Sequence, residues 1–100
     1  MRSSMIIAKV MGTAVASAKH TALHSSKLLV ICPANIDGDI NGDPILAVDL
    51  VGSGAGELVI VSQGSSARLA TDYKNSPVDA AIVGILDSLQ YDDKIRFRKE

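Results

Sequence analysis

Ile6-Ile-Ala-Lys-Val-Met-Gly-Thr-Ala-Val-Ala-Ser-Ala-Lys19 is the stretch that decides the fold class. It is rich in small and β-branched residues and carries no helix start or stop signal. Ile6, Ala8, Val10, Gly12, Ala14 and Ala16 fall on one face at a period of two. That spacing predicts a long strand, because successive side chains of extended backbone point to opposite faces. Gly12, with no side chain to pack, is the expected place for a bend. The opposite face, Ile7, Lys9, Met11, Thr13, Val15, Ser17 and Lys19, mixes apolar and polar residues. A sheet face of that kind is expected to be partly covered, and a neighbouring subunit is one element that would cover it.

The rest of the chain repeats the strand theme. Lys27-Leu-Leu-Val-Ile-Cys32 is apolar after its lysine and stops at Pro33, which lacks the N–H a ladder needs. It reads as a short strand buried on both faces. Ile45 to Val51 and Leu58 to Val61 read as two more, separated by the glycine-rich turn Gly52-Ser-Gly-Ala-Gly56. Ser76-Pro77-Val78-Asp79 offers a capping serine, a first-turn proline and an acid at the capping-box position, so a single helical turn is expected ahead of Ala80. Ala80 to Gln90 reads as one fifth strand. After the turn Asp92-Asp93, Lys94-Ile-Arg-Phe-Arg98 alternates, with Ile95 and Phe97 expected inward and the cations outward on a sixth strand. Six short strands with little helical periodicity predict an all-β fold, a small barrel or sandwich, in one domain spanning 1–100.

Composition narrows the function classes. Apolar residues make up 47% and charged residues 21% of 100, which suits a folded soluble chain and not a disordered one. The longest apolar runs, Leu28 to Cys32 and Ala80 to Leu86, fall far short of the ~20 residues of a membrane-spanning helix. The opening segment meets Lys9 before an uninterrupted apolar core forms, so the chain reads as cytosolic, with no signal peptide. The single cysteine, Cys32, sits in an apolar run and reads as a small buried hydrophobe, in keeping with a reducing compartment. The net charge of -1 hides an uneven distribution: residues 1 to 30 hold four Lys/Arg and no acid, and residues 31 to 60 hold five Asp/Glu and no base. A basic nucleic-acid footprint is not visible in that balance.

Local motifs favour structure over chemistry. Asp37-Gly-Asp39-Ile-Asn41-Gly42 imitates the start of an EF-hand loop, but position 12 is Val48 where a bidentate glutamate is needed, and the flanks read as strands. Turn chemistry explains the same residues. Gly52 to Gly56 has neither the Lys-Ser/Thr of a P-loop nor dinucleotide-fold spacing, so tight turn geometry, or close backbone approach at a subunit contact, is the reading it supports. His20 and His24 have helical i, i+4 spacing without a third metal ligand nearby. Asp49, Asp79 and Asp87 stand in or beside strands, where structural hydrogen bonding is the simpler role. Gly64-Ser-Ser-Ala-Arg68 reads as a capped helical turn.

Taken in order and spacing, Gly52-Ser-Gly-Ala-Gly-Glu57, Gly64-Ser-Ser-Ala-Arg68, Ser76-Pro-Val-Asp-Ala-Ala81 and Val83-Gly-Ile-Leu-Asp87 resemble the EutN/CcmL family of bacterial microcompartment vertex proteins. Val10-Met-Gly-Thr-Ala14 and Lys27-Leu-Leu29 resemble that family's opening. The resemblance implies an OB-like β-barrel with one or two short helical turns, assembling as a closed pentameric ring. It also implies a structural role at shell vertices, with hexameric shell proteins as neighbours and no catalytic residue, metal, cofactor, membrane or nucleic acid. Candidates for the subunit interface or the five-fold axis on that basis are Gly52, Gly54, Gly56, Glu57, Ser65, Ser66, Arg68, Pro77 and Asp79. The chain departs from the family pattern in a few extra N-terminal residues and in Leu58, where many relatives place tryptophan. Five copies of Arg96, Arg98 and Lys99 would form a basic ring able to meet acidic partners.

Two other classes compete. An OB-fold module for single-stranded nucleic acid would stack bases on aromatics in a basic groove, yet Tyr73, Tyr91 and Phe97 are the only aromatics. A small enzyme using Asp49 or Asp79 would need a catalytic constellation that the spacing does not supply.

Overall fold

The computed structural model describes residues 4–17, 27–64, 67 and 79–99. Seven strands run through them: β1 Ser4–Ala14, β2 Lys27–Pro33, β3 Ile45–Asp49, β4 Leu58–Gln63, β5 Ala80–Ile85, β6 Ser88–Tyr91 and β7 Lys94–Arg98. The first five close into a barrel in the order β1-β2-β3-β5-β4, and β6 with β7 forms a separate two-stranded sheet. All barrel pairs are antiparallel except β3 with β5. Closure removes the free edges that an open sheet of this size would expose.

The interior is filled from every strand of the barrel. Ala8, Val10, Leu29, Ile31, Ala47, Val59, Val61, Ala80 and Ile82 form one buried cluster. The alanines among the larger side chains let a five-stranded barrel close without a lumen. Cys32 is buried too, as a small apolar residue would be. A second cluster lies on the outside of the wall. Val48 and Ala81, paired across β3 and β5, are buried with Ala67, and Leu28 and Val83 pack beside them. Leu28 thus contributes from the outer face of β2 while Leu29 and Ile31 point in, which makes β2 buried on both faces as its apolar run predicts.

Three expectations need correction. The alternation of β1 holds through Val10, where Val10 faces Ile31, but the next pair is Gly12 with Val30. Met11 is therefore an extra, exposed residue in a bulge, and beyond it Gly12 and Ala14 are half-buried while Thr13 is exposed. The strand ends at Ala14, short of the expected Lys19, and Ala16, expected inward, lies past it and is exposed. Secondly, the single strand expected over Ala80 to Gln90 is two, because the chain leaves the barrel at Leu86-Asp87 and β6 pairs only with β7. Thirdly, Ile95 is 52% exposed, whereas Arg96 is partly covered, over the Tyr91 ring at 5.8 Å and 3.9 Å from Asp37. The pairing of β6 with β7 slips between Leu89–Phe97 and Gln90–Ile95, so Arg96 is an extra residue and the alternation breaks there, while Phe97, expected inward, is half-buried beside Gly38. The turn between these two strands is the tight two-residue kind, with Asp92 and Asp93 both at positive φ, a conformation that aspartate tolerates.

The helical turns expected at Gly64 to Arg68 and Ser76 to Asp79 lie outside the described residues apart from Gly64, Ala67 and Asp79. His20 and His24 lie outside them as well. No helix among the described residues is long and apolar enough to cross a membrane.

Candidate functional site

The turn joining β3 to β4 is held by carboxylates at both ends. Asp49, the last residue of β3, accepts hydrogen bonds from the Val51 N–H at 3.3 Å, from the Ser53 N–H at 3.0 Å and from the Ser53 hydroxyl at 3.1 Å. Ser53 is only 2% exposed, so these bonds satisfy polar groups that water does not reach. At the other end the Glu57 carboxylate accepts from the Gly54 N–H at 2.6 Å and from the Lys99 ammonium at 2.6 Å. The backbone of the turn is stitched onto the middle of β1: Val10 N–H donates to the Glu57 carbonyl at 2.9 Å and Gly56 N–H to the Val10 carbonyl at 2.8 Å.

The three glycines have different reasons. Gly52 and Gly56 adopt φ of +75° and +87°, and nothing lies within 4 Å of where a Cβ would stand, so conformation alone demands glycine there. At Gly54 a Cβ would meet the Glu57 Oε1 at 3.6 Å, an ordinary contact, and φ is not in the left-handed region. Nothing among the described residues requires glycine at 54.

The structure therefore brings Gly52, Gly54, Gly56 and Glu57 together at the barrel end where β3 and β5 finish and β4 begins. Asp79 is not among them. It precedes β5 at the opposite mouth, where its carbonyl accepts from the Gly64 N–H at 2.8 Å and an open cavity of about 740 Å³ is lined by Ser4, Leu46, Gln63 and Asp79. Ser65, Ser66, Arg68 and Pro77 lie outside the described residues. The acidic loop also resolves as a turn: the Asn35 Oδ1 accepts from the N–H groups of Asp37 and Asp39, both at 3.0 Å, while Asp37 faces Arg96. Of the three cations proposed for a basic ring, Lys99 is committed to Glu57 and Arg96 approaches Asp37.

The Glu57–Lys99 contact fixes the end of β7 to the glycine turn and gives the site its electrostatics. Hydrogen bonding to Lys99, then to the Gly54 N–H, holds the Glu57 carboxyl below its ordinary value of 4.5. The same bond raises Lys99 above its ordinary 10.5. A lowered carboxyl contributes fully above its unfolded pKa and loses the contribution as pH falls through the folded value. A raised ammonium contributes fully below its unfolded pKa and loses it as pH rises through the folded value. Anchorage of the β6–β7 hairpin is thus expected to be constant through neutral pH and to weaken only at the acid and alkaline extremes. Carbon-detected NMR titration of Glu57 checks this: in Lys99→Met its midpoint should move upward toward the ordinary value, and an unmoved midpoint would show that the link does not form in solution.

Sequence reasoning marked the glycine turn but missed Lys99 as its partner, 42 residues away from Glu57. It also missed the outer face of β1 and β4. There Met5, Ile7, Ile60, Ala34, Leu86 and Leu89 line an apolar groove of about 480 Å³. The available signal was that β1 is apolar on both faces at Met5-Ile-Ile7.

Comparison with known proteins supplies the context. The family described as "Ethanolamine utilisation protein EutN/carboxysome" matches residues 5–87. The bacterial microcompartment shell vertex protein GrpN of Rhodospirillum rubrum (strain F11) is 44% identical over 86 residues, 86% of this chain and 97% of its own length. The shell vertex protein EutN of Salmonella typhimurium (strain LT2) is 36% identical over 99 residues, 99% of this chain and 100% of its own. Among solved structures, the GrpN pentameric microcompartment shell protein from Rhodospirillum rubrum superimposes with a TM-score of 0.78 at 42% identity, covering 86% of this chain and 98% of that one.

Proposed function

The chain belongs to the EutN/CcmL family of microcompartment shell vertex proteins, and from that premise we propose that it assembles as a homopentamer capping the vertices of a bacterial microcompartment shell in the cytoplasm. Its neighbours there are hexameric shell proteins, and its role is geometric and not catalytic: a five-fold ring lets a flat hexagonal sheet close. The observation that carries this reading is the likeness, over most of the barrel, to a solved shell protein that is itself pentameric.

The geometry of the glycine turn supports it. Gly54 sits in a turn braced from both sides by Asp49 and Glu57, yet nothing among the described residues needs it to be glycine. Close approach of another backbone favours a missing Cβ, and a subunit contact would provide one. A rigid, preorganised turn loses little entropy when a neighbour docks on it. Gly52, Gly56 and Glu57 act in this reading by holding the turn's shape, while Asp79, Ser65, Ser66, Arg68 and Pro77 stay candidates for the subunit interface or the five-fold axis.

Native mass spectrometry tests the assembly directly. A species of five 10.5 kDa chains is the expected result, and a mass no dimer, tetramer or hexamer shares. A chain that stays monomeric across salt and concentration removes the vertex reading.

A further inference from the structure

The β6–β7 hairpin stands apart from the barrel in its hydrogen bonding. Every barrel strand has a neighbour on each side, whereas β6 and β7 pair only with each other. The changeover falls on one dipeptide. The Leu86 N–H still donates to the Leu58 carbonyl of β4 at 2.9 Å, while the Asp87 carbonyl already accepts from the Lys99 N–H, just past β7, at 2.7 Å. A two-stranded hairpin is marginal by itself in water, so this one persists by lying against the barrel.

Its hold is thin. No residue of β6 or β7 is buried, and Tyr91 and Ile95 face solvent. Leu89 joins the apolar groove on β1 and β4, and the Phe97 ring converges with Leu58 on Gly38, both within 4 Å of where a Cβ would stand. The remaining contacts are polar and lie near the surface: Lys99 on Glu57 at 2.6 Å, and Arg96 at 3.9 Å from Asp37. The Arg96 Nε is buried with no hydrogen-bond partner among the described residues, a cost that access to water removes. A segment with so few buried apolar contacts opens at a lower free energy than a packed core.

One of these contacts reaches further into the fold. Glu57 takes the Lys99 ammonium on Oε2 and the Gly54 N–H on Oε1, so a single carboxylate joins the hairpin to the glycine turn. With Lys99 withdrawn, that carboxylate is free to turn to water, and Asp49 is left as the side-chain brace of the turn.

We propose that the β6–β7 hairpin is a strap that swings off the barrel as a unit about Leu86–Asp87, and that its closing fixes the glycine turn through Lys99 and Glu57. The strap belongs to the single protomer and goes beyond the pentamer proposed above. Where rings form, a neighbour seated on the fixed turn favours the closed strap, because coupling between two sites is reciprocal.

Amide hydrogen exchange on the full chain tests both parts. In the parent, the hairpin amides are expected to exchange together, about ten-fold or more faster than those of β2 and β4 yet slower than unstructured chain. Lys99→Met should speed hairpin exchange about two- to five-fold, the range of one exposed ion pair, and Gly54 should lose protection with it. Sodium chloride at about 1 M should do the same to the parent and add nothing to Lys99→Met. Phe97→Ala should speed the hairpin about ten-fold and leave the barrel amides at the parent's rates. Hairpin amides that exchange in step with β2 and β4 would overturn the strap, since it would then open only with the whole barrel. Hairpin amides with no protection would overturn it too, since nothing would be docked. Unchanged protection of Gly54 in Lys99→Met would overturn the coupling to the turn. A parent that shows the expected rates without forming a five-chain species keeps the strap and brings down the pentamer alone.

Discussion

Replacing Ile82 by alanine is expected to lower stability by about 2–5 kcal/mol, the cost of deleting buried methyl groups and leaving a cavity. Ile82 has no exposed surface, packs in the interior cluster, and sits where three strands meet: it pairs with Asp49 of β3 and Val61 of β4. Neighbouring alanines at 8, 47 and 80 have no longer side chains to swing into the space. For a domain of this size the loss corresponds to a fall in Tm of at least roughly 8 °C at fixed protein concentration. Ile82→Val removes a single methyl and should cost about 0.5–1.5 kcal/mol. A thermal melt in which the alanine variant is no less stable than the valine variant would contradict the placement of Ile82 in the core.

The second large effect is expected at Asp49→Ala. The carboxylate is the shared acceptor for the Val51 and Ser53 N–H groups and the Ser53 hydroxyl. Removing it leaves the two donors of a nearly fully buried serine without partners, and each unsatisfied buried group costs on the order of 1–3 kcal/mol, so a total of about 2–6 kcal/mol is expected. Asp49→Asn retains one acceptor oxygen and should recover about half. Amide hydrogen exchange localises the effect: Ser53 should lose protection in the alanine variant well before the core of β4 does. Protection of Ser53 equal to the parent's would mean that the turn is held by something else.

Much of the barrel is legible in the chain because inward residues must be apolar and the strands are bounded by glycine and proline. Lys27 to Cys32 differs from β2 by one residue, and Leu58 to Val61 from β4 by two. What escapes is anything that breaks the period without changing composition. The Met11 bulge and the end of β1 at Ala14 fall in a run of small residues whose composition marks neither. The break at Leu86-Asp87 lies inside continuously strand-like sequence, so only the absence of a barrel partner for β6 reveals it. In the candidate site, the turn could be read from its glycines and Asp49 from its position at a strand end. The Glu57–Lys99 bond could not, because a surface lysine at that distance in sequence carries no sign of its partner. Nor does an exposed leucine such as Leu46 differ, in one sequence, from an ordinary surface apolar residue.

The closure of β1 onto β4 sets a clock on how the protein is made. Ser4 pairs with Gln63, 59 residues downstream, and β3 cannot find β5 until Ala81 and Ile82 have emerged. At about 5–20 residues per second, the ribosome takes roughly 3–12 s to deliver the partner that the first strand needs. During that interval Met5, Ile6 and Ile7 stand on an unpaired edge of the nascent β1–β2 hairpin, and the apolar groove does not exist until β4 has joined it.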